Sequence, residues 1–232
     1  MYVGLELYAK IEPLLGFEEE IESLYGLYIE ILSSWKPKSL VDIGCGSGKF
    51  LLHAQKSLSL NRSLGVDLSE TMVERAKQRG VEALAVDICD LNERFEAATA
   101  VFDVLNYLDE SGLKRFMGCV EELLEPGGIF IADINTLYGF EEISQGALVK
   151  REKESLLALE SAFENGRLKT YIDYFRPDGE GCYRREEDCV VQYFHSAEKI
   201  AGSGGLELIQ IYPVTLYGDE PDKEVLLFRK KG

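Results

Sequence analysis

Between residues 38 and 134 short apolar runs alternate with amphipathic stretches. The runs Leu40–Ile43, Ser63–Asp67, Ala83–Asp87, Ala98–Leu105 and Ile129–Ile134 predict five strands. Between them apolar residues recur every three or four positions, as at Met72, Val73 and Ala76, and from Leu113 through Phe116, Met117, Val120, Leu123 and Leu124. That period places them on one face of a helix. Ser69 suits an N-cap, Gly80 a helix stop, and Pro126-Gly127-Gly128 ends the longer helix. Strands alternating with helices predict a parallel α/β sheet. Upstream, Ile21, Leu24, Tyr25, Tyr28 and Leu32 form one stripe that Pro37 interrupts, so residues 1–36 read as a helical cover, with Tyr2 and Tyr8 in a less regular stretch.

After residue 134 the alternation breaks. Ser155–Phe163, Leu168–Phe175 and Tyr183–Phe194 suit strands, with the hairpin dipeptide Asn165-Gly166 after the first and the turn cluster Pro177-Asp178-Gly179-Glu180-Gly181 after the second. Residues 145–195 therefore predict a three-stranded antiparallel insertion, with a helix over 155–162 as the local competitor. Ser196 caps a short helix to about Ala201, and Leu206–Tyr212 and Val225–Arg229 make two last strands.

The densest signal is Asp42-Ile43-Gly44-Cys45-Gly46-Ser47-Gly48, a strand end running into a glycine-rich turn with room for a helix start beyond it. Such a turn brings backbone close to a nucleotide-like ligand. A dinucleotide fingerprint needs glycine at 49, where Lys49 stands; a Walker loop needs glycine at 43 and a hydroxyl at 50, where Ile43 and Phe50 stand. Asp67 ends the second strand 23 residues after Gly44, at the distance of a ribose-binding acid, and Asp87 ends the third.

The motif D-x-G-x-G-x-G, the acids at strand ends and the segment Phe102-Asp103-Val104-Leu105-Asn106-Tyr107 together resemble the class I S-adenosylmethionine-dependent methyltransferases. The resemblance is firm over 38–134 and looser beyond. It implies a Rossmann-like, seven-stranded, mostly parallel sheet with helices on both faces, one domain over 1–232, and S-adenosylmethionine as cofactor. It also implies a cofactor site drawn from Asp42, Gly44, Cys45, Gly46, Gly48, Asp67, Leu68, Asp87, Ile88, Phe102, Asp103 and Asn106, with Asp67 on the ribose and Asp87 and the Ile88 amide on the adenine. Several small-molecule N- and O-methyltransferases of that family carry an antiparallel insertion at the place of 145–195, as a lid or a dimer surface, so a homodimer through it is one expectation.

Methyl transfer from a sulfonium needs positioning more than activation. Acid–base candidates at the strand ends are Asp103, Asn106, Tyr107, Asp133, Asn135 and His195, and no general base is singled out. His195 reads first as a surface or capping residue, and His53 as structural. The expected reaction is methyl transfer to nitrogen or oxygen of a small molecule. The alternatives are a non-catalytic S-adenosylmethionine-binding module and a nicotinamide-dependent oxidoreductase.

Composition narrows the partners. With 41 acidic and 25 basic side chains the formal charge is −16, a field that repels nucleic acid and anionic lipid. No signal-peptide pattern and no apolar run long enough to span a bilayer is expected. Five cysteines without a CxxC pair predict free thiols and a cytoplasmic location. Cys182, Cys189 and His195 match no zinc spacing, so no metal is expected.

Overall fold

The computed structural model describes residues 5–16, 18–179 and 181–232, so Tyr2 and Glu180 lie outside the described residues. Helix α1 (Leu5–Leu15) and helix α2 (Glu18–Trp35) precede β1 (Ser39–Ile43), α3 (Lys49–Ser57), β2 (Arg62–Asp67), α4 (Glu70–Gln78) and β3 (Ala83–Ala85). β4 (Phe95–Ala100), α5 (Glu110–Leu123) and β5 (Leu124–Asn135) follow. Four strands come next: β6 (Gly146–Glu152), β7 (Ser155–Glu164), β8 (Arg167–Pro177) and β9 (Tyr183–Tyr193). Helix α6 (Ala197–Ala201), β10 (Glu207–Val214) and β11 (Lys223–Arg229) close the chain.

Seven strands pair in the order β10-β11-β5-β4-β1-β2-β3. Only β11 runs against its neighbours, antiparallel to both β5 and β10. Alternation along each strand divides the core. On β5, Phe130 and Ala132 pack with Leu113, Phe116 and Val120 of α5, while Ile129 and Ile131 pack with Leu24, Tyr28 and Leu32 of α2 and with α3 and α4. The resulting fold is α/β, a Rossmann-like sheet between two helical layers. Order reverses between β1 and β4, and open α/β sheets bind ligands at that crevice, beyond the carboxyl ends of the strands.

The insertion departs from expectation. It has four strands, in the order β6-β7-β8-β9, and the helix over 155–162 does not form. The missed strand β6 is mostly exposed and lies at the sheet edge, so it shows no alternation of apolar and polar residues. Asn165 and Gly166, at φ 52° and 74°, make the expected tight turn. Leu157, Ile172 and Val190 on one face pack against Leu7, Ile11 and Leu15 of α1. The sequence-derived strand ends also shift: the third strand stops at Ala85 and the fourth at Ala100. Residues 86–90 leave the sheet as a turn in which Asp87 accepts the Cys89 amide, and residues 101–107 as a turn whose Phe102 and Asp103 amides donate to Asp133. Pro126-Gly127-Gly128 lies inside β5, at an irregular pairing with β4, rather than ending the helix.

Two cysteines differ from the free-thiol expectation. Cys89 and Cys119 form a disulfide with Cα atoms 5.1 Å apart, while Cys45, Cys182 and Cys189 are free. A separation of 30 residues matches no local motif, and only the packing of α5 on the 88–90 turn brings the pair together. Among the described residues no helix is long and apolar enough to cross a membrane.

Candidate cofactor and acceptor site

The glycine loop folds as the motif demands. Gly44, Gly46 and Gly48 have φ of 68°, 51° and 77°, a region that costs other residues about 1–2 kcal/mol each. The Gly44 and Cys45 amides donate to the Val66 carbonyl at 2.8 and 3.0 Å, joining the loop to β2. A Cβ on Gly44 would stand 2.9 Å from Val104, whereas one on Gly46 would meet nothing within 4 Å. Gly46 lines a cavity of about 810 Å³ at the carboxyl ends of the strands, so a side chain there would occupy ligand space. That volume is in the upper range of small-molecule sites.

Asp67 reaches into the same wall. Its Oδ2 accepts the Gly46 amide and its Oδ1 the Ser69 amide, each at 2.8 Å. Burial raises its carboxyl, and the amides of Ser69, Gly46 and Leu68 pull it back. Each oxygen retains a lone pair for a ligand hydroxyl. We expect Asp67→Ala to weaken S-adenosylhomocysteine binding by about 1–3 kcal/mol in calorimetry, because a charged acceptor and the tether of Gly46 are lost together.

Asp87 accepts the Cys89 amide at 2.9 Å and pairs with Arg115 at 2.8 Å. It stays below the usual carboxylate range although partial burial opposes this, because Arg115 and the Cys89 amide stabilise its charge. The Cys89–Cys119 bridge ties this turn to α5, and Asp87, Ile88 and Cys89 all line the cavity.

Across the crevice, Phe102 and Asp103 both adopt left-handed backbone, at φ 64° and 62°. Asp133 holds them there. Its Oδ1 accepts the Phe102 amide at 2.7 Å and the Tyr28 hydroxyl at 2.8 Å, and its Oδ2 accepts the Asp103 amide at 3.1 Å. Lys223 Nζ, 3.2 Å from Asp133 Oδ2, also binds Asn135 Oδ1 at 2.9 Å and Asp103 Oδ1. Burial alone would depress the ammonium, but the Asp103 and Asp133 carboxylates hold it well above the usual lysine range. Burial raises Asp133 in turn, against the pull of Lys223.

The cavity thus brings together Gly44, Cys45, Gly46, Asp67, Leu68, Asp87, Ile88, Phe102 and Asp103 of the twelve expected positions. Asp42, Gly48 and Asn106 lie outside its wall. Asp42 is buried beneath the loop, accepting the Thr99 hydroxyl at 2.7 Å. Gly48 caps α3. Asn106 is buried, giving its Nδ2 to the Tyr193 carbonyl at 2.9 Å and taking the Asn135 amide at 3.0 Å, so it braces the insertion against β5.

Of the acid–base candidates, Asp103, Tyr107 and Asn135 line the cavity, whereas Asp133 supports it from below. Burial keeps the Tyr107 phenol well above its ordinary range. His195 is not the surface residue expected: it is 3% exposed, its Nε2 is 2.8 Å from the Leu108 carbonyl, and burial lowers its pKa. Sequence reading missed Lys223, a charged residue opening a strand, which by itself signals solvent.

Asp42 supplies a pH test. Burial pushes its carboxyl to about 7, with the Thr99 hydroxyl opposing. A folded value above the unfolded one favours the folded state at low pH, and that contribution disappears as pH rises from about 4 to 7, by about 4 kcal/mol in the fully buried limit. Asp42→Asn removes the titration. Its melting temperature relative to the parent should therefore rise between pH 5 and pH 8; a constant difference would contradict the shift.

The profile of a methyltransferase domain family matches residues 40–128, the stretch that holds the glycine loop, Asp67, Asp87 and Asp103. Residues 40–128 thus hold a methyltransferase domain. A Geobacillus sp. (strain WCH70) protein, provisionally named a methyltransferase, is 26% identical over 163 residues, 65% of each chain. A human protein named probable tRNA methyltransferase 9B is 35% identical over 103 residues, 43% of this chain and 22% of that one. The chain thus spans under two thirds of these curated relatives. Among solved structures, an S-adenosylmethionine-dependent methyltransferase from Clostridium acetobutylicum superposes with a TM-score of 0.75 at 23% identity, over 91% of this chain and 92% of that one. The sugar N-methyltransferase KedS8 from Streptoalloteichus sp. superposes with a TM-score of 0.74 at 18% identity, over 100% of this chain and 94% of that one. At those identities the likeness is one of fold.

The residues of the cavity suit S-adenosylmethionine: an open cradle at Gly46 that a Cβ would fill, with the carboxylates of Asp67 and Asp87 along the same wall.

Proposed function

We propose that this protein transfers the methyl group of S-adenosylmethionine to nitrogen or oxygen of a small-molecule acceptor. The observation that carries the reading is the length of the cavity. It continues from the glycine loop past Asp103 and Asn135 to Leu159, Ser161 and Thr170 of the insertion, under Tyr8 of α1. A single cavity lined by both the glycine loop and the insertion suits a small acceptor better than a polymer. The charge of −16 also disfavours a polyanion. KedS8, a sugar N-methyltransferase by name, shares the fold including this region. The tRNA methyltransferase relative favours the opposite acceptor class, but its match covers fewer than half of the residues.

The cofactor supplies an electrophilic methyl on a cationic sulfur. Gly46 and Asp67 would hold the nucleoside, Phe102 and Asp103 would flank the reacting end, and α1 with the insertion would exclude water. Asp103 lines the cavity on the acceptor side, where its carboxylate could take a proton from an amine or hydroxyl. The outer face of the insertion carries the Arg185–Asp173 and Arg185–Glu187 pairs, both at 2.6 Å, which supports a lid role over a dimer role. The Cys89–Cys119 bridge weighs against the cytoplasmic location expected from the cysteines.

Transfer of a tritiated methyl group to a panel of amines, hydroxylated small molecules and bulk tRNA tests the reading. Incorporation into a small molecule is expected. Incorporation into tRNA alone, or tight cofactor binding with no transfer to anything, would overturn it.

A further inference from the structure

The strand order puts Asp67 and Asp87 on one side of the glycine loop and the ends of β5 and β11 on the other. The latter side is where an acceptor would lie, and there Lys223 meets three oxygens. An ammonium only donates. Asn135 must therefore turn its Oδ1 toward Lys223, at 2.9 Å, which points its Nδ2 elsewhere. Asp103 gives Lys223 its Oδ1, which leaves Oδ2. Neither Asn135 Nδ2 nor Asp103 Oδ2 has a hydrogen-bond partner among the described residues, and both residues line the cavity. Asn135 and Asp103 meet at one ammonium, so the two unused groups sit on side chains that converge there. Lys223 itself is 2% exposed and bound on several sides, so it is fixed in place.

We propose that Lys223 is a positioning residue for the acceptor subsite, setting Asn135 and Asp103 so that an amide N–H and a carboxylate oxygen together recognise a small polar acceptor bearing a hydrogen-bond donor beside an acceptor atom, such as a 1,2-amino alcohol. The inference rests on the methyltransferase reading. An apolar or flat aromatic acceptor would bury both groups unpaired, and sites built to make hydrogen bonds reject such analogues strongly.

The test uses the full chain, ¹⁵N-labelled and saturated with S-adenosylhomocysteine, titrated with 2-aminocyclohexanol and, separately, with cyclohexanol. The Asn135 side-chain amide signal, assigned by its loss in Asn135→Leu, should shift with the amino alcohol, which should bind at least tenfold tighter than cyclohexanol. Lys223→Met should move that signal in the free protein and weaken the amino alcohol at least tenfold. Should Lys223→Met fail to fold, Asn135→Leu decides, with the same tenfold loss expected. Equal binding of the two probes, or parent-like affinity in Asn135→Leu, overturns the proposal. Failure of S-adenosylhomocysteine to bind the parent would instead overturn the methyltransferase reading beneath it.

Discussion

Asp133→Ala should cost the fold about 3–5 kcal/mol, the range for removing one partner of a buried, hydrogen-bonded ion pair. Asp133 is fully buried and accepts from the Phe102 amide, the Asp103 amide, the Tyr28 hydroxyl and Lys223. Alanine leaves an ammonium without one of its two carboxylates and two amides without acceptors. It also releases two consecutive left-handed residues, each a conformation that a non-glycine side chain adopts only when held. In urea the midpoint should fall sharply. At about 2–4 °C per kcal/mol for a chain of this size, the melting temperature should drop by roughly 6–20 °C. Asp133→Asn keeps one acceptor oxygen and should fall between alanine and the parent. A midpoint for Asp133→Ala within 1 kcal/mol of the parent would show that the 102–103 turn stands without it.

Gly46→Val should do the reverse, leaving most of the stability and removing the binding. At φ 51° a β-branched residue is strained by about 1–3 kcal/mol, but its Cβ meets no protein atom within 4 Å. The branch occupies the space beside Asp67 Oδ2, which accepts the Gly46 amide. S-adenosylhomocysteine affinity should fall by more than about 100-fold, or 2.7 kcal/mol. Gly46→Ala should lie between. Undiminished affinity in a folded Gly46→Val protein would move the ligand away from the loop.

The parts of the fold that could be read from sequence are those with a period. Apolar runs and helical stripes marked all five early strands, and Ser69 and Ser196 cap the helices they were expected to cap, accepting the Met72 and Lys199 amides. What could not be read depends on partners distant in the chain. β6 is a strand because β7 pairs with it, though its own residues are mostly exposed. Cys89 meets Cys119 only after α5 packs. Asp133 and Lys223, 90 residues apart, were each interpretable alone as strand-end surface residues, and only the antiparallel pairing of β11 with β5 joins them. The glycine loop was legible because its three positive-φ positions leave a local signature in residue type. Asn106 was not, because an asparagine bracing two backbones looks the same in sequence as one facing a ligand.

The cavity over β1, β2 and β3 is shaped to hold S-adenosylmethionine. A thermal-shift titration with S-adenosylhomocysteine, run beside NAD and ATP, tests it most directly. A ligand at about 100 times its dissociation constant adds roughly 2.7 kcal/mol, or several degrees in melting temperature. A shift is expected with S-adenosylhomocysteine alone, reduced in Asp67→Ala and absent in Gly46→Val. A shift with NAD or ATP instead, or with none of the three, would contradict it.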